Sequence, residues 1–142
     1  MTREELKAFS ARRRAAWDRR APAGLAAGHA VDGDVVSPIF GTVKGRSAIE
    51  AAYRNLFSIF ADWEFIGDDL IMDGDLVVEG FTARATHTHE FLGVEGTGRR
   101  FQIRGVLLFR FFDGLIAHEE RVYDFSGMLI QIGVLKARPG KA

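Results

Sequence analysis

The sequence predicts an α+β fold, a curved antiparallel sheet with N-terminal helices covering one of its faces. Three observations carry this expectation. Two capping boxes, Thr2 with Glu5 and Ser47 with Glu50, each precede apolar residues at helical spacing. Beyond Asp62 the period changes from helical to two. Turn signals at Asp73-Gly74, Gly93 to Gly98 and Asp113-Gly114 then divide the remainder into four long strands in hairpin succession.

The first helix is predicted from Thr2 to about Arg20, with Leu6, Phe9, Ala16 and Trp17 on its apolar side, closed by Pro22 and Gly24. A short helical segment around Leu25 to Ala27 leads into Val35-Val36-Ser37-Pro38, and Gly41 and Gly45 bracket a turn-rich loop. Ser47 opens the second helix, on which Ile49, Tyr53, Leu56, Phe57 and Phe60 recur at helical spacing. A short helix begins near Ser126. Residues 1–135 read as one domain, and 136–142 as a loose tail.

Composition narrows the function classes. The hydrophobic share is 47% and the charged share 27%, ordinary for a folded domain of 142 residues. Nineteen basic residues balance nineteen acidic ones, so no overall field draws the chain to nucleic acid or an anionic membrane. The local exception, Arg12, Arg13, Arg14, Arg19 and Arg20, reads as a solvated helix face. The absence of cysteine removes disulfides, thiol nucleophiles and thiolate metal sites together. The charged N-terminus lacks a signal-type apolar segment, and no run approaches the ~18 apolar residues of a membrane span, so cytoplasmic residence is expected.

Strand alternation selects the candidate site. In the last strand it sets His118, Glu120, Val122 and Asp124 on one face. Pairing the four strands through their turns makes that face continuous with Trp63, Phe65, Phe81, His87, His89, Phe101, Ile103, Leu107 and Phe109. Ionisable groups would then line an apolar cavity, with Trp17, Phe40, Tyr53, Phe57, Phe60 and Met128 as candidate walls, although each aromatic is individually ordinary core. The opposite face would carry Arg104, Val106, Arg110, Phe112, Glu119, Arg121 and Tyr123. That mixture is too apolar for a fully solvated surface, and a second copy is the economical cover.

The residues resemble the SnoaL-like polyketide cyclases of the nuclear transport factor two-like superfamily. The resemblance lies in Pro38-Ile39-Phe40-Gly41, Gly45-Arg46-Ser47-Ala48-Ile49 with Tyr53, and His87-Thr88-His89-Glu90-Phe91-Leu92-Gly93. It continues through Thr97-Gly98-Arg99, Gly105 to Arg110, and Tyr123-Asp124 with Gly127 and Gln131-Ile132-Gly133, spanning roughly residues 28 to 133. It implies a cone-shaped half-barrel closed by its N-terminal helices, commonly a homodimer, holding a hydrophobic or aromatic small molecule without metal or cofactor. It also implies intramolecular aldol closure, in which Asp124 matches the aspartate that removes a carbon-bound proton; in this chain His87 or Glu120 is expected to assist it. This chain carries Leu107 near the position where those cyclases tend to have a histidine, and Glu120 where they usually have an aromatic residue. The sister ketosteroid isomerases place an aspartate where this chain has Ser37, so that chemistry is not expected.

Other readings of the same residues stand beside this one. Asp124 could cap the helix near Ser126, and Glu120 could pair with His118 or Asp124. His87 and His89 form a His-x-His pattern to which Glu120 could add a ligand. The second half of a cupin-type set is missing, however, so no metal is expected, and the pair reads as donors to a ligand carbonyl or as packing. The protein as a whole could be a cyclase or isomerase, a binding module for a hydrophobic metabolite, or a hydrolase or dehydratase using Asp124, Glu120 and water.

Overall fold

The computed structural model describes residues 1–136. The elements run α1 (Arg3–Asp18), α2 (Pro22–Ala26), β1 (His29–Ser37), β2 (Gly41–Lys44), α3 (Arg46–Ile59), β3 (Glu64–Asp73), β4 (Leu76–Thr86), β5 (Arg100–Phe112), β6 (Leu115–Tyr123) and α4 (Phe125–Gln131). The strands form one open sheet in the order β2-β1-β6-β5-β4-β3. Every pairing is antiparallel except β1 with β6, which is parallel. The α+β class and the four-strand meander are as predicted. The tail expected at 136–142 lies outside the described residues apart from Lys136.

Local chemistry explains most of the elements. At α1 the Thr2 hydroxyl accepts from the Glu5 N–H at 3.1 Å while the Glu5 carboxylate accepts from the Thr2 N–H at 3.1 Å, so two free donors of the first turn are satisfied reciprocally. The second expected box does not form. Helix α3 starts two residues earlier, with Gly45 rather than Ser47 as its cap, at φ 91°, a conformation the turn out of β2 demands and glycine supplies. Pro22 opens α2 instead of closing α1. The stretch expected as a short extended segment and a loop is the β1–β2 hairpin, with Ser37 opposite Gly41.

The register of β6 departs from the predicted alternation, and the departure has one cause. Phe111 pairs with Ile116, but Arg110 pairs with His118, so Ala117 is an unmatched residue. Because side chains alternate every residue, this single bulge exchanges the two faces of everything beyond it. Glu119, Arg121 and Tyr123 point inward, while Glu120, Val122 and Asp124 are exposed. Of the remainder of the predicted inner face, Trp63, Phe81, Ala83, Ala85, His87, Phe101, Ile103, Leu107 and Phe109 are buried as expected, whereas His89, past the end of β4, is exposed instead of facing inward. The outer face keeps exposed Val106 and Phe112, gains Val122, and loses Glu119, Arg121 and Tyr123.

Helices α1 and α3 close over the inner face. Phe9 meets Phe111 edge-on at 5.0 Å and Trp17 meets Tyr53 edge-on at 5.5 Å. At the far end of the sheet Phe60 packs edge-on against Phe91 and Phe101. Edge-to-face pairs of this kind add about 0.5–1.5 kcal/mol each to the area they bury.

Candidate functional site

The sheet and helices leave a narrow apolar cavity. Its floor is Phe81, Ile103 and Leu107 with Arg121 and Tyr123, and its walls are Trp17, Leu56, Trp63 and Phe65 with Ser37, Ile39 and Phe40 of the β1–β2 hairpin. Its volume is about 30 Å³, room for a water molecule or two. Trp17 stacks flat on Phe65, with centroids 4.4 Å apart and planes inclined by 5°. Entry of a ring-sized guest therefore requires one or more of these aromatic side chains to move.

Beside the cavity lies a buried charge network. Register places Glu119 opposite Phe109 and Arg121 opposite Leu107 on the inner face. Arg121 donates through Nε to Glu119 Oε2 at 2.6 Å and through Nη2 to the Tyr53 hydroxyl oxygen at 2.8 Å. Arg13 donates to the same hydroxyl at 3.0 Å and to Glu119 Oε1 at 3.4 Å, with its guanidinium 5.0 Å from the Phe109 ring centre. His29 Nε2 lies 3.4 Å from Glu119 Oε1 without the alignment of a hydrogen bond. Among the described residues no protein acceptor is found for Arg121 Nη1, and this guanidinium lines the cavity.

The ionisation of the network follows from its contacts. Burial by itself would raise the Glu119 carboxyl, but Arg121 and Arg13 override it and hold the group at about 2. Burial pushes His29 down to about 4, against the pull of Glu119, so it is neutral at pH 7. Burial also opposes the charges on Arg121 and Arg13. The acid beside them, with the Tyr53 oxygen, more than offsets this and raises both. Glu119 is thus the firmly ionised carboxylate that both guanidinium cations share. Burial pushes the Tyr123 phenol upward, which keeps it a neutral donor.

The residues expected to form the site are dispersed. Asp124 is exposed and caps α4, accepting from the Gly127 N–H at 2.9 Å, so the capping role is the one its geometry displays. Glu120 is exposed, 3.9 Å from His118 Nε2. His118 Nδ1 pairs at 2.6 Å with Asp34 on the outer face. His87 is fully buried, but its Nδ1 accepts from the Thr97 N–H at 3.2 Å, and it does not line the cavity. Among the described residues no group of three or more His, Asp or Glu side chains is placed to hold a metal ion. Of the candidate walls, Trp17, Phe40 and Leu107 line the cavity. Tyr53 belongs to the network, Phe57 packs against Trp17, and Phe60, Phe101 and Met128 are core.

Sequence reasoning missed Arg13, His29, Glu79, Glu119 and Arg121. Two of these were signalled. Arg13 falls midway between Phe9 and Trp17 at intervals of four, on the apolar stripe of α1, and Glu79 alternates with Val77 and Phe81 on the inner face of β4.

Fold and site together define a class of cone-shaped α+β proteins in which a bent sheet holds polar groups against an apolar hollow, the nuclear transport factor two-like and ketosteroid isomerase-like fold. Residues 9–132 match the family model described as SnoaL-like polyketide cyclase, and the chain belongs to that family. Among solved structures it is similar to AclR of Streptomyces galilaeus, described as a candidate hydroxylase, at 26% identity and a TM-score of 0.81, covering 97% of this chain and 87% of that one. It is similar to TsrD of Streptomyces laurentii at 26% identity and a TM-score of 0.83, covering 95% and 99%. It is also similar to IdmH of Streptomyces antibioticus, described as a candidate polyketide cyclase, at 26% identity and a TM-score of 0.74, covering 89% and 97%. Comparison with curated proteins finds no match.

Proposed function

We propose that this protein binds a small apolar molecule bearing a ketone and promotes removal of a proton alpha to that carbonyl, leading to isomerisation or aldol cyclisation. The observation that carries this reading is a buried cation at an apolar wall: Arg121, held by Glu119 and the Tyr53 oxygen, borders the cavity. Loss of a carbon-bound proton leaves an enolate, whose charge collects on oxygen. A fixed cation in a site with room for little water stabilises that charge far more than it stabilises the neutral ketone, which is the condition for lowering a barrier. Tyr123 and Ser37, both on the lining, supply hydroxyls to orient the remaining oxygens. Membership in the SnoaL-like family and the likeness to IdmH agree with chemistry of this class.

A second reading, a binding module that leaves its guest unaltered, is favoured by one observation: among the described residues no carboxylate borders the main cavity. Proton NMR of 2-tetralone in D2O separates the two. The enzymatic reading expects the α-proton signals to decay faster with the protein than in buffer of the same pH. Saturable quenching of tryptophan fluorescence without faster exchange would leave the binding module, and absence of both effects would remove either reading.

A further inference from the structure

The reading above, on which this inference rests, leaves the proton acceptor unassigned, and the interior offers few. Buried Glu119 is engaged on both oxygens by Arg13 and Arg121. His87 is held through Nδ1 by the Thr97 N–H and hydroxyl and does not line the cavity. His29 is hemmed in by the same Glu119 carboxylate. Glu79 remains.

Glu79 sits on β4 directly opposite Leu107, which sits on β5 directly opposite Arg121. Acid and guanidinium therefore spring from one row across the inner face, on strands two spacings or about 10 Å apart, and reach over the same leucine. Glu79 is 8% exposed, and its Oε1 has no protein hydrogen-bond partner among the described residues. It borders a second cavity of about 20 Å³ together with Ser10, Arg13, Trp17, Phe65 and Gly67. The β3 ladder is irregular from Gly67 to Leu70, and a Cβ on Gly67 would come within 2.9 Å of Glu79 Oε2. The missing side chain there leaves the carboxylate its room. Trp17 and Phe65, the flat stack, line both this chamber and the main cavity.

We propose that Glu79 is the proton acceptor of this site, and that the Trp17–Phe65 stack is the partition a ligand displaces to reach it. With the stack parted the chambers join, and a flat ring system can lie along the row with its carbonyl at Arg121 and its α-carbon at Glu79. The carboxylate takes the carbon-bound proton and becomes a carboxylic acid. The C–H electron pair enters the carbonyl system as an enolate, whose oxygen bears the charge beside Arg121. Isomerisation is completed when the acid returns its proton to a different carbon. In cyclisation the enolate carbon bonds to a second carbonyl and the acid protonates the resulting alkoxide. Burial raises the Glu79 carboxyl above its ordinary range, opposed by Arg13 and Arg14 of α1 and reinforced by Glu119 of β6 and Asp68 of β3, which increases its strength as a base.

The test is 2-tetralone exchange by Glu79→Gln, with affinity read by fluorescence and folding by near-ultraviolet circular dichroism. The expected result is a rate lower by about 10²–10⁴-fold, the usual contribution of a positioned general base, with affinity held within about threefold. Glu79→Asp, which keeps the charge and shortens the reach, is expected to fall between, and it decides the matter should the glutamine variant not fold. Exchange undiminished in a folded variant overturns this inference while leaving the proposed function in place. No exchange by the wild type removes both. In a Trp63→Phe background, where Trp17 is the remaining tryptophan, binding of 2-tetralone is expected to shift its emission; an unmoved spectrum on saturable binding overturns the partition.

Discussion

Replacing Glu119 with alanine is expected to lower stability by about 3–5 kcal/mol, the cost of removing one partner from a buried ion pair. The residue is 0% exposed and is the counter-charge for both Arg13 and Arg121, so its loss leaves two guanidinium groups among aromatic rings with only the Tyr53 oxygen between them. Urea unfolding reads the effect as a lower midpoint. The same group makes stability depend on pH. Its pKa is depressed on folding, from 4.5 to about 2, so its contribution is fully present above 4.5 and is lost as pH falls toward 2. His29, lowered from 6.5 to about 4, binds its proton more readily in the unfolded chain, so its contribution is lost earlier, between 6.5 and 4. Both groups pull stability down as pH falls below 6.5, against the raised Glu79 carboxyl, and the decline below 4.5 should be shallower in Glu119→Ala.

Deleting Ala117 is expected to leave the fold and both faces of β6 intact, although it shortens a central strand by one residue. Ile116 would then be followed directly by His118, and plain alternation from Ile116 keeps Glu119, Arg121 and Tyr123 inward and Glu120, Val122 and Asp124 outward. Asp34, Val35 and Val36 of β1 pair with His118, Glu119 and Glu120, so the parallel ladder on the other side keeps its partners. Native near-ultraviolet circular dichroism and a sigmoidal urea transition are the expected result; loss of both would mean that Ala117 is not the residue the register skips.

Ala117 also marks the boundary of what the sequence made legible. The helices, the hairpin turns and the inner face of β4 and β5 were readable because each rests on local chemistry: a capping pair, an Asp-Gly turn, a run of alternating apolar residues. A bulge has no such signature in His118-Glu119-Glu120-Arg121, where charged residues occupy both parities and either alternation looks alike. The exchange of faces carries Glu120 and Asp124, which plain alternation expects inward, to the outside. The buried position of Arg13 was obscured differently. It stands in a run of three arginines that reads as a solvated face, and only its interval of four from Phe9 and from Trp17 distinguishes it. The extent of β1 was hidden because Asp32, Gly33 and Asp34 resemble a turn, whereas in the fold they belong to a strand paired with both β2 and β6.

The most direct measurement of the central claim, that the working charge of this site is Arg121 and not Asp124, is 2-tetralone exchange by Arg121→Met and Asp124→Asn in parallel. Both must first retain native near-ultraviolet circular dichroism; asparagine is itself a good helix cap and keeps that role. The account predicts a fall of about 10²–10³-fold for Arg121→Met, as for removal of an oxyanion donor, and a change within about twofold for Asp124→Asn. The reverse pattern, with exchange lost in Asp124→Asn and preserved in Arg121→Met, would contradict it.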